Sequence, residues 1–299
     1  MARLRLIHLS DIHIREARPG WVPRDFLTKR TSGWVNLLRR GRRFDRALHV
    51  ISHLIADVKR TKPDALIFSG DASALGFRSE VQAAAIALHV GDSRMPPAIA
   101  VPGNHDHYIR AAASSDAFES AFIPWMVGHR IEPHRYPFAR EIGGMWFIGV
   151  NSCKPNRLAW DASGAVGHTQ LARIDRLLGE LPLGPRTLVT HYPFSKDDGR
   201  PEPYWHGLRD RVALASLLEK HDVRLWLCGH RHANYALPPS RDIPFAQICA
   251  GSSTQAGRAS YMEVLIDDAT VTVKRHVFQG HEEHFLPANE PVNIPGVFE

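Results

Sequence analysis

Apolar residues fall along the chain in two alternating rhythms. Leu4–Leu9 is a short apolar run of strand length, closed by Ser10-Asp11. From Phe44 the spacing changes, and Phe44, Ala47, Leu48, Ile51, Ile55 and Val58 follow the i, i+3, i+4, i+7 stripe that predicts an amphipathic helix. Ala65–Phe68 predicts a second strand, between Pro63-Asp64 and Ser69-Gly70-Asp71. A helix over 79–90 and a strand over 98–101 follow. Strands are predicted again at 145–150, 187–190 and 225–228, separated by helices marked by Leu171, Ile174, Leu178 and Leu181 and then by 208–218. Three late strands, near 245–250, 261–266 and 270–277, have no helices between them and read as antiparallel. The tail over 280–299, with Pro287, Pro291 and Pro295, reads as irregular.

This is a strand–helix–strand rhythm in which polar residues recur just after the strands. In open α/β sheets such carboxyl-end loops converge on one crevice. With 299 residues, 44% of them hydrophobic, the chain can bury a substantial core. Neither an internal repeat nor a linker is visible, so one domain over 1–299 is expected. No run of 18 apolar residues occurs, and the N-terminus is too charged for a signal-peptide core, so a cytoplasmic protein is expected. Cys153, Cys228 and Cys249 are too scattered for a disulfide framework and read as buried strand thiols.

Candidate chemistry sits at the strand ends. Asp11-Ile12-His13, Gly70-Asp71, Gly103-Asn104-His105-Asp106, His191 and Gly229-His230-Arg231-His232 each follow an apolar strand. Imidazole nitrogen with carboxylate oxygen is the donor set for divalent zinc, manganese or iron. In an extended loop, alternate side chains of Asp-x-His or His-x-His point the same way and can reach one ion. Singly each fragment is common; together, in this order, they outweigh a structural reading.

The set resembles the calcineurin-like metallophosphoesterase superfamily, whose D-x-H, G-D, G-N-H-[DE], H and G-H-x-H pattern is complete between residues 11 and 232. The resemblance implies a four-layer α/β/β/α sandwich with mixed sheets and a metal site at strand carboxyl ends. It implies two divalent ions, manganese or iron before zinc. Asp11, His13, Asp71 and His232 would hold one, and Asp71, Asn104, His191 and His230 the other, with Asp71 bridging. Two such ions roughly 3.5–4 Å apart clamp phosphoryl oxygens and lower the pKa of a bridging water from about 15.7 toward 7. His105 is then the candidate general acid for the leaving alkoxide, with Asp106 orienting it. The expected activity is hydrolysis of a phosphodiester, a cyclic nucleotide or another small or lipid-like molecule. Phosphomonoesterase and nuclease are the alternatives within the superfamily, and a metal-free scaffold is the alternative outside catalysis.

Charge adds one feature. The net charge is +6, yet 15–43 alone carries nine basic residues against Glu16 and Asp25, a net of +7, leaving the remainder at −1. So local a patch argues against a nucleic-acid surface. Phe26, Leu27, Trp34, Leu37 and Leu38 fit one helical face, with Lys29, Arg30, Arg39 and Arg40 around it. Three readings compete: ordinary packing with the arginines solvated, a cap in which Arg30 and Trp34 receive a bulky anionic substrate, or docking on an anionic membrane surface, peripheral to its inner face. In a second insertion, 195–209, Tyr204 and Trp205 could line the mouth of the site and Arg209 contact a phosphate.

Overall fold

The computed structural model describes residues 3–39, 42–241, 243–267 and 270–298. In chain order the first half is β1 (Leu4–Leu9), α1 (Lys29–Arg39), α2 (Ala47–Thr61), β2 (Ala65–Phe68), α3 (Arg78–Ala87), β3 (Ala98–Ala100), and the short helices α4 (Arg110–Ala113) and α5 (Ala117–Phe122). Then come β4 (His129–Arg130), β5 (Phe138–Ile142), β6 (Met145–Gly149), α6 (His168–Glu180), β7 (Arg186–Val189), α7 (Arg211–Lys220), β8 (Val223–Cys228), β9 (Asn234–Leu237), β10 (Ala246–Ala250), β11 (Ser260–Ile266), β12 (Thr270–Gln279) and β13 (His284–Pro295).

The strands form two sheets, one ordered β13-β12-β11-β1-β2-β3 and the other β4-β5-β6-β7-β8-β10-β9. Val50, Ile51, Leu54, Ile55 and Val58 bury the apolar stripe of α2 in a core shared with the first sheet and with inner residues of the second, such as Phe147, Leu225 and Ile248. Ile174, Leu177 and Leu178 of α6 and Leu214 and Leu218 of α7 bury against the outer face of the second sheet. Each such side chain contributes about 1.5–3 kcal/mol. The result is helices, sheet, sheet, helices, the four-layer arrangement expected. All three cysteines are buried free thiols.

The parallel strands set the position of the site. β1, β2 and β3 run parallel, as do β6, β7, β8 and β10, so their carboxyl ends open on the same edge of each sheet. The connection through α2 ends at Lys62 in a left-handed conformation before Pro63, a common way to stop a helix and start a strand.

Two expectations are corrected here. Of the three late strands, β10 is not an antiparallel partner of the others: it joins the second sheet parallel to β8, while β11 and β12 pair antiparallel in the first. Nor is the tail irregular. β13 pairs with β12 along its length, with one irregularity between Val273 and Arg275. It lies at the edge of its sheet, where a proline's missing N–H leaves no ladder bond unmade. Among the described residues no helix is long and apolar enough to cross a membrane.

Candidate metal centre

Seven expected ligands meet where the carboxyl ends of the two sheets converge. Asp71 Oδ1 is pinned by the backbone N–H of His105 at 2.7 Å. Its other oxygen, Oδ2, lies 3.6 Å from His13 Nε2 and 3.5 Å from His191 Nε2, facing both halves of the cluster. On one side Asp11 Oδ1 lies 3.2 Å from His232 Nε2 and 3.8 Å from His13 Nε2. On the other, Asn104 Oδ1 lies 3.1 Å from His191 Nε2 and 2.9 Å from His230 Nδ1.

The outer nitrogens of the four imidazoles decide what the inner ones can do. His191 Nδ1 donates to the carbonyl of Ser69 at 2.8 Å and His13 Nδ1 to that of Ser73 at 3.3 Å. His230 Nε2 donates to the carbonyl of His206 at 3.0 Å, and His232 Nδ1 to Gln255 Oε1 at 2.8 Å. A carbonyl oxygen offers no proton, so each outer nitrogen carries one and each inner nitrogen of a neutral ring is a bare lone pair. Those lone pairs face one another, with His13 Nε2 2.9 Å from His232 Nε2, and face oxygens that also only accept. Asp11 Oδ1 is buried with no donor aligned on it.

Burial supplies the electrostatic side of the same argument. It pushes His13, His191 and His230 below the usual imidazole range, so the rings are neutral. Burial and then repulsion from Asp11 and Asp106 push Asp71 up. A cluster in which the inner nitrogens and oxygens face one another as acceptors is completed by cations, and this donor set fits borderline divalent ions.

The backbone is bent to make the cluster. Asp11, His13, Asp71, His230 and His232 all have positive φ, between 45° and 71°, a region that non-glycine residues occupy at a cost of order 1–3 kcal/mol each. Gly229 permits the close approach of two of these loops, since a Cβ there would overlap Ser10 Oγ and Asp11 Oδ2.

His105 sits beside the cluster. Its Nδ1 donates to the carbonyl of Ala74 at 2.6 Å, its ring stacks on Tyr108 at 5.0 Å, and it meets the His13 ring edge-on at 4.7 Å. With Asp71 and His13 it forms a further potential ligand group. Asp106 does not orient it. The Asp106 carboxylate instead accepts from the N–H groups of Gly103, Ala72 and Ser73 and from the Ser73 hydroxyl, clamping the β2 and β3 loops together.

The expected substrate residues separate. Arg30 is buried beneath α1, giving its donors to the carbonyls of Leu75 and Gly76 and pairing with Asp25 at 2.7 Å, so it does not face the site. Arg209 pairs with Asp161 at 3.0 Å and lies over the Tyr204 and Trp205 rings at 4.4 and 5.5 Å; none of these three lines the cavity at the metal centre. Trp34 is exposed beside Trp21. Arg40 lies outside the described residues.

Two residues take part that sequence reasoning missed. Lys29, on the inner face of α1, lines a cavity of about 280 Å³ with Asn104, His105, Tyr108, Trp160 and His206, and its Nζ donates to the Asp161 carbonyl at 2.6 Å. Burial lowers its pKa to about 8. Gly33, one turn along, lets Tyr108 reach the helix, since a Cβ there would overlap the tyrosine hydroxyl. Gln255 orients His232 from the loop after β10, and its signal was present: "GSSTQ" is a glycine-led polar run at a strand end, like the motifs themselves. A larger cavity of about 980 Å³ lies at the opposite, amino ends of β6–β8, around Gly143, Arg186 and Arg224, away from the ligand cluster.

Comparison with known proteins agrees with this geometry. No curated protein sequence is significantly similar to the chain. A dimetal phosphatase from Danio rerio shares the fold with a TM-score of 0.64 at 13% identity, covering 98% of each chain. Purple acid phosphatase from yellow lupin seeds (Lupinus luteus) does so with a TM-score of 0.60 at 14% identity, covering 98% of this chain and 54% of that one. The model of the calcineurin-like phosphoesterases matches residues 4–234, and the chain therefore belongs to that family.

Proposed function

We propose that this metal-dependent phosphoester hydrolase prefers phosphodiesters carrying a small or lipid-like organic group, and that His105 protonates the leaving oxygen. The observation that carries the hydrolytic reading is the set of four imidazoles fixed by outer carbonyl oxygens so that their bare nitrogens converge on Asp11, Asp71 and Asn104. Asp11, His13, Asp71 and His232 would hold one divalent ion, and Asp71, Asn104, His191 and His230 the other, manganese or iron being our choice. When bound, such ions supply positive charge for phosphoryl oxygens and acidify water.

The chain's own residues supply the rest. His105 is locked with its Nδ1 proton on Ala74, so a transferable proton can sit only at Nε2. Burial pushes this ring down to about 3, and an anionic phosphoryl group beside it is what favours the imidazolium. Preference for a diester is supported by the cavity lining. Lys29 is the one Lys or Arg among the lining residues, set among Leu37, Tyr108 and Trp160. Beyond the charge such ions would bring, the apolar walls suit the organic substituent that a diester carries on its second ester oxygen. At about 280 Å³ the cavity is at the small end of ligand pockets, roughly 300–1,000 Å³.

Turnover of bis-p-nitrophenyl phosphate against p-nitrophenyl phosphate, with Mn²⁺ added, tests the preference. A higher kcat/KM for the diester is expected; a higher value for the monoester would assign the site to phosphomonoesters instead.

A further inference from the structure

The helix α1 and the 3-10 turn Pro23–Leu27 before it invert the usual pattern at their junction. Lys29 and Arg30 of the first helical turn are buried, while Phe26 and Leu27 of the 3-10 turn and Trp34 and Leu38 of α1 are exposed, Leu27 by 91%. Trp34 and Leu38, four apart on α1, share one stripe, and Phe26 and Leu27 extend the exposed apolar surface from the 3-10 turn that precedes the helix. Stacking of Phe26 on Trp21 at 5.1 Å, with Trp34 edge-on to Trp21 at 6.4 Å, makes the stripe a rigid ridge rather than loose side chains.

The charges around the ridge have one sign. Arg18, Arg24, Arg39 and Arg43 are exposed, and none forms an ion pair among the described residues. Between residues 17 and 43 the sole carboxylate is Asp25, which is buried against Arg30. A protruding ridge of leucine and aromatic rings, flanked by unpaired arginines and with the neighbouring exposed acid Asp45 already paired to Arg15 and Arg42, complements a surface that is anionic at its face and apolar just beneath it. Nucleic acid offers the charge but nothing for an outward Leu27. The ridge also adjoins the cavity at the metal centre: Gly33, Asn36 and Leu37 of the same helix line its wall, as does exposed Trp160.

From these features we infer that α1 docks the protein on an anionic lipid bilayer, with Phe26, Leu27, Trp34 and Leu38 entering the headgroup–acyl boundary and Arg18, Arg24, Arg39 and Arg43 facing anionic headgroups. The opening of the metal-centre cavity then faces the membrane. Docking itself does not depend on the hydrolytic reading, and its readout needs no turnover.

The test is flotation of the full chain with vesicles of phosphatidylcholine alone or mixed with phosphatidylglycerol. Binding to the mixed vesicles, weak on phosphatidylcholine alone and reduced by salt, is expected. Replacing Arg24 and Arg39 by glutamine should lower partitioning about 5-fold each, the equivalent of about 1 kcal/mol per basic residue. Leu27→Asp/Leu38→Asp should abolish it while leaving turnover of a soluble diester and the circular dichroism spectrum unchanged. Absence of binding to mixed vesicles, or binding that survives Leu27→Asp/Leu38→Asp, overturns the inference. So does a dimer in analytical ultracentrifugation that the same pair dissolves, because the ridge would then be covered by a second copy.

Discussion

At the scale of single residues, His105 and Lys29 would, on the proposed reading, divide the work that the ligands cannot do. His105→Ala removes the proposed proton donor but none of the seven candidate ligands. It should retain its metal by elemental analysis and lose about 10²–10⁴-fold in kcat on an alkyl diester, where the leaving oxygen needs a proton. On a nitrophenyl ester, whose leaving group departs without protonation, the loss should be much smaller. Lys29 has a pKa lowered to about 8 by burial, so its charge disappears as pH rises through that value, and kcat/KM should fall on the alkaline side. The native state then holds fewer protons than the unfolded chain between about 8 and 10.5, so stability should rise over the window in which activity falls. Lys29→Arg should move the activity limb upward, and Lys29→Met should remove it with roughly a 10- to 100-fold loss in kcat/KM. The ligands were readable from sequence because each sits one to four residues past an apolar run. Lys29 was not, because the amphipathic pattern of 26–38 sends the apolar face inward by default. What reverses it is tertiary: the carbonyls of Leu75, Gly76 and Asp161 open toward this helix and need donors, which Arg30 and Lys29 provide.

At the scale of elements, a strand end is the repeated unit of the site, and the loop after β10 belongs to the same set. Ser252 Oγ donates to the Asp11 carbonyl at 2.7 Å, Thr254 Oγ1 to the Ile12 carbonyl at 2.7 Å, and Gln255 holds His232. Gln255→Ala should therefore weaken metal affinity about 10–100-fold, as loss of an outer partner typically does. Competitive chelator titration reads this directly, and Gln255→Glu, which keeps an acceptor at Nδ1, should recover most of it. The motif strands, β1, β2, β3, β6, β7, β8 and β10, were readable because parallel strands buried on both faces leave nearly continuous apolar runs. β4, β5, β9 and β13 were not. Residues 284–295 mix prolines with polar side chains, a pattern that only an edge position tolerates, and edge placement is a property of the whole sheet.

At the scale of the whole molecule, the ion pair would act as a staple between the two sheets, since its ligands come from β1 and β2 loops on one side and β7 and β8 loops on the other. Ligand occupancy at 100 times Kd contributes about 2.7 kcal/mol per site, so chelation should lower Tm by about 5 °C or more at this size. Acid should deepen the effect in the metal-free protein. His13, His191 and His230 have pKa values depressed below 6.5, so under that value the unfolded chain binds protons that the native one refuses, and stability falls with pH. A differential scanning series from pH 8 to pH 5, with and without chelator, checks both slopes.

The left-handed backbone at five ligands makes the apoprotein a sprung object. Glycine adopts those angles freely, so Asp71→Gly would relax the main chain and discard a repelling carboxylate in one step, yielding a protein hardier than the metal-free parent but without the proposed shared ligand. Bound metal and a relaxed main chain are thus alternative routes to a stable fold, and the ligand backbone commits this chain to the first.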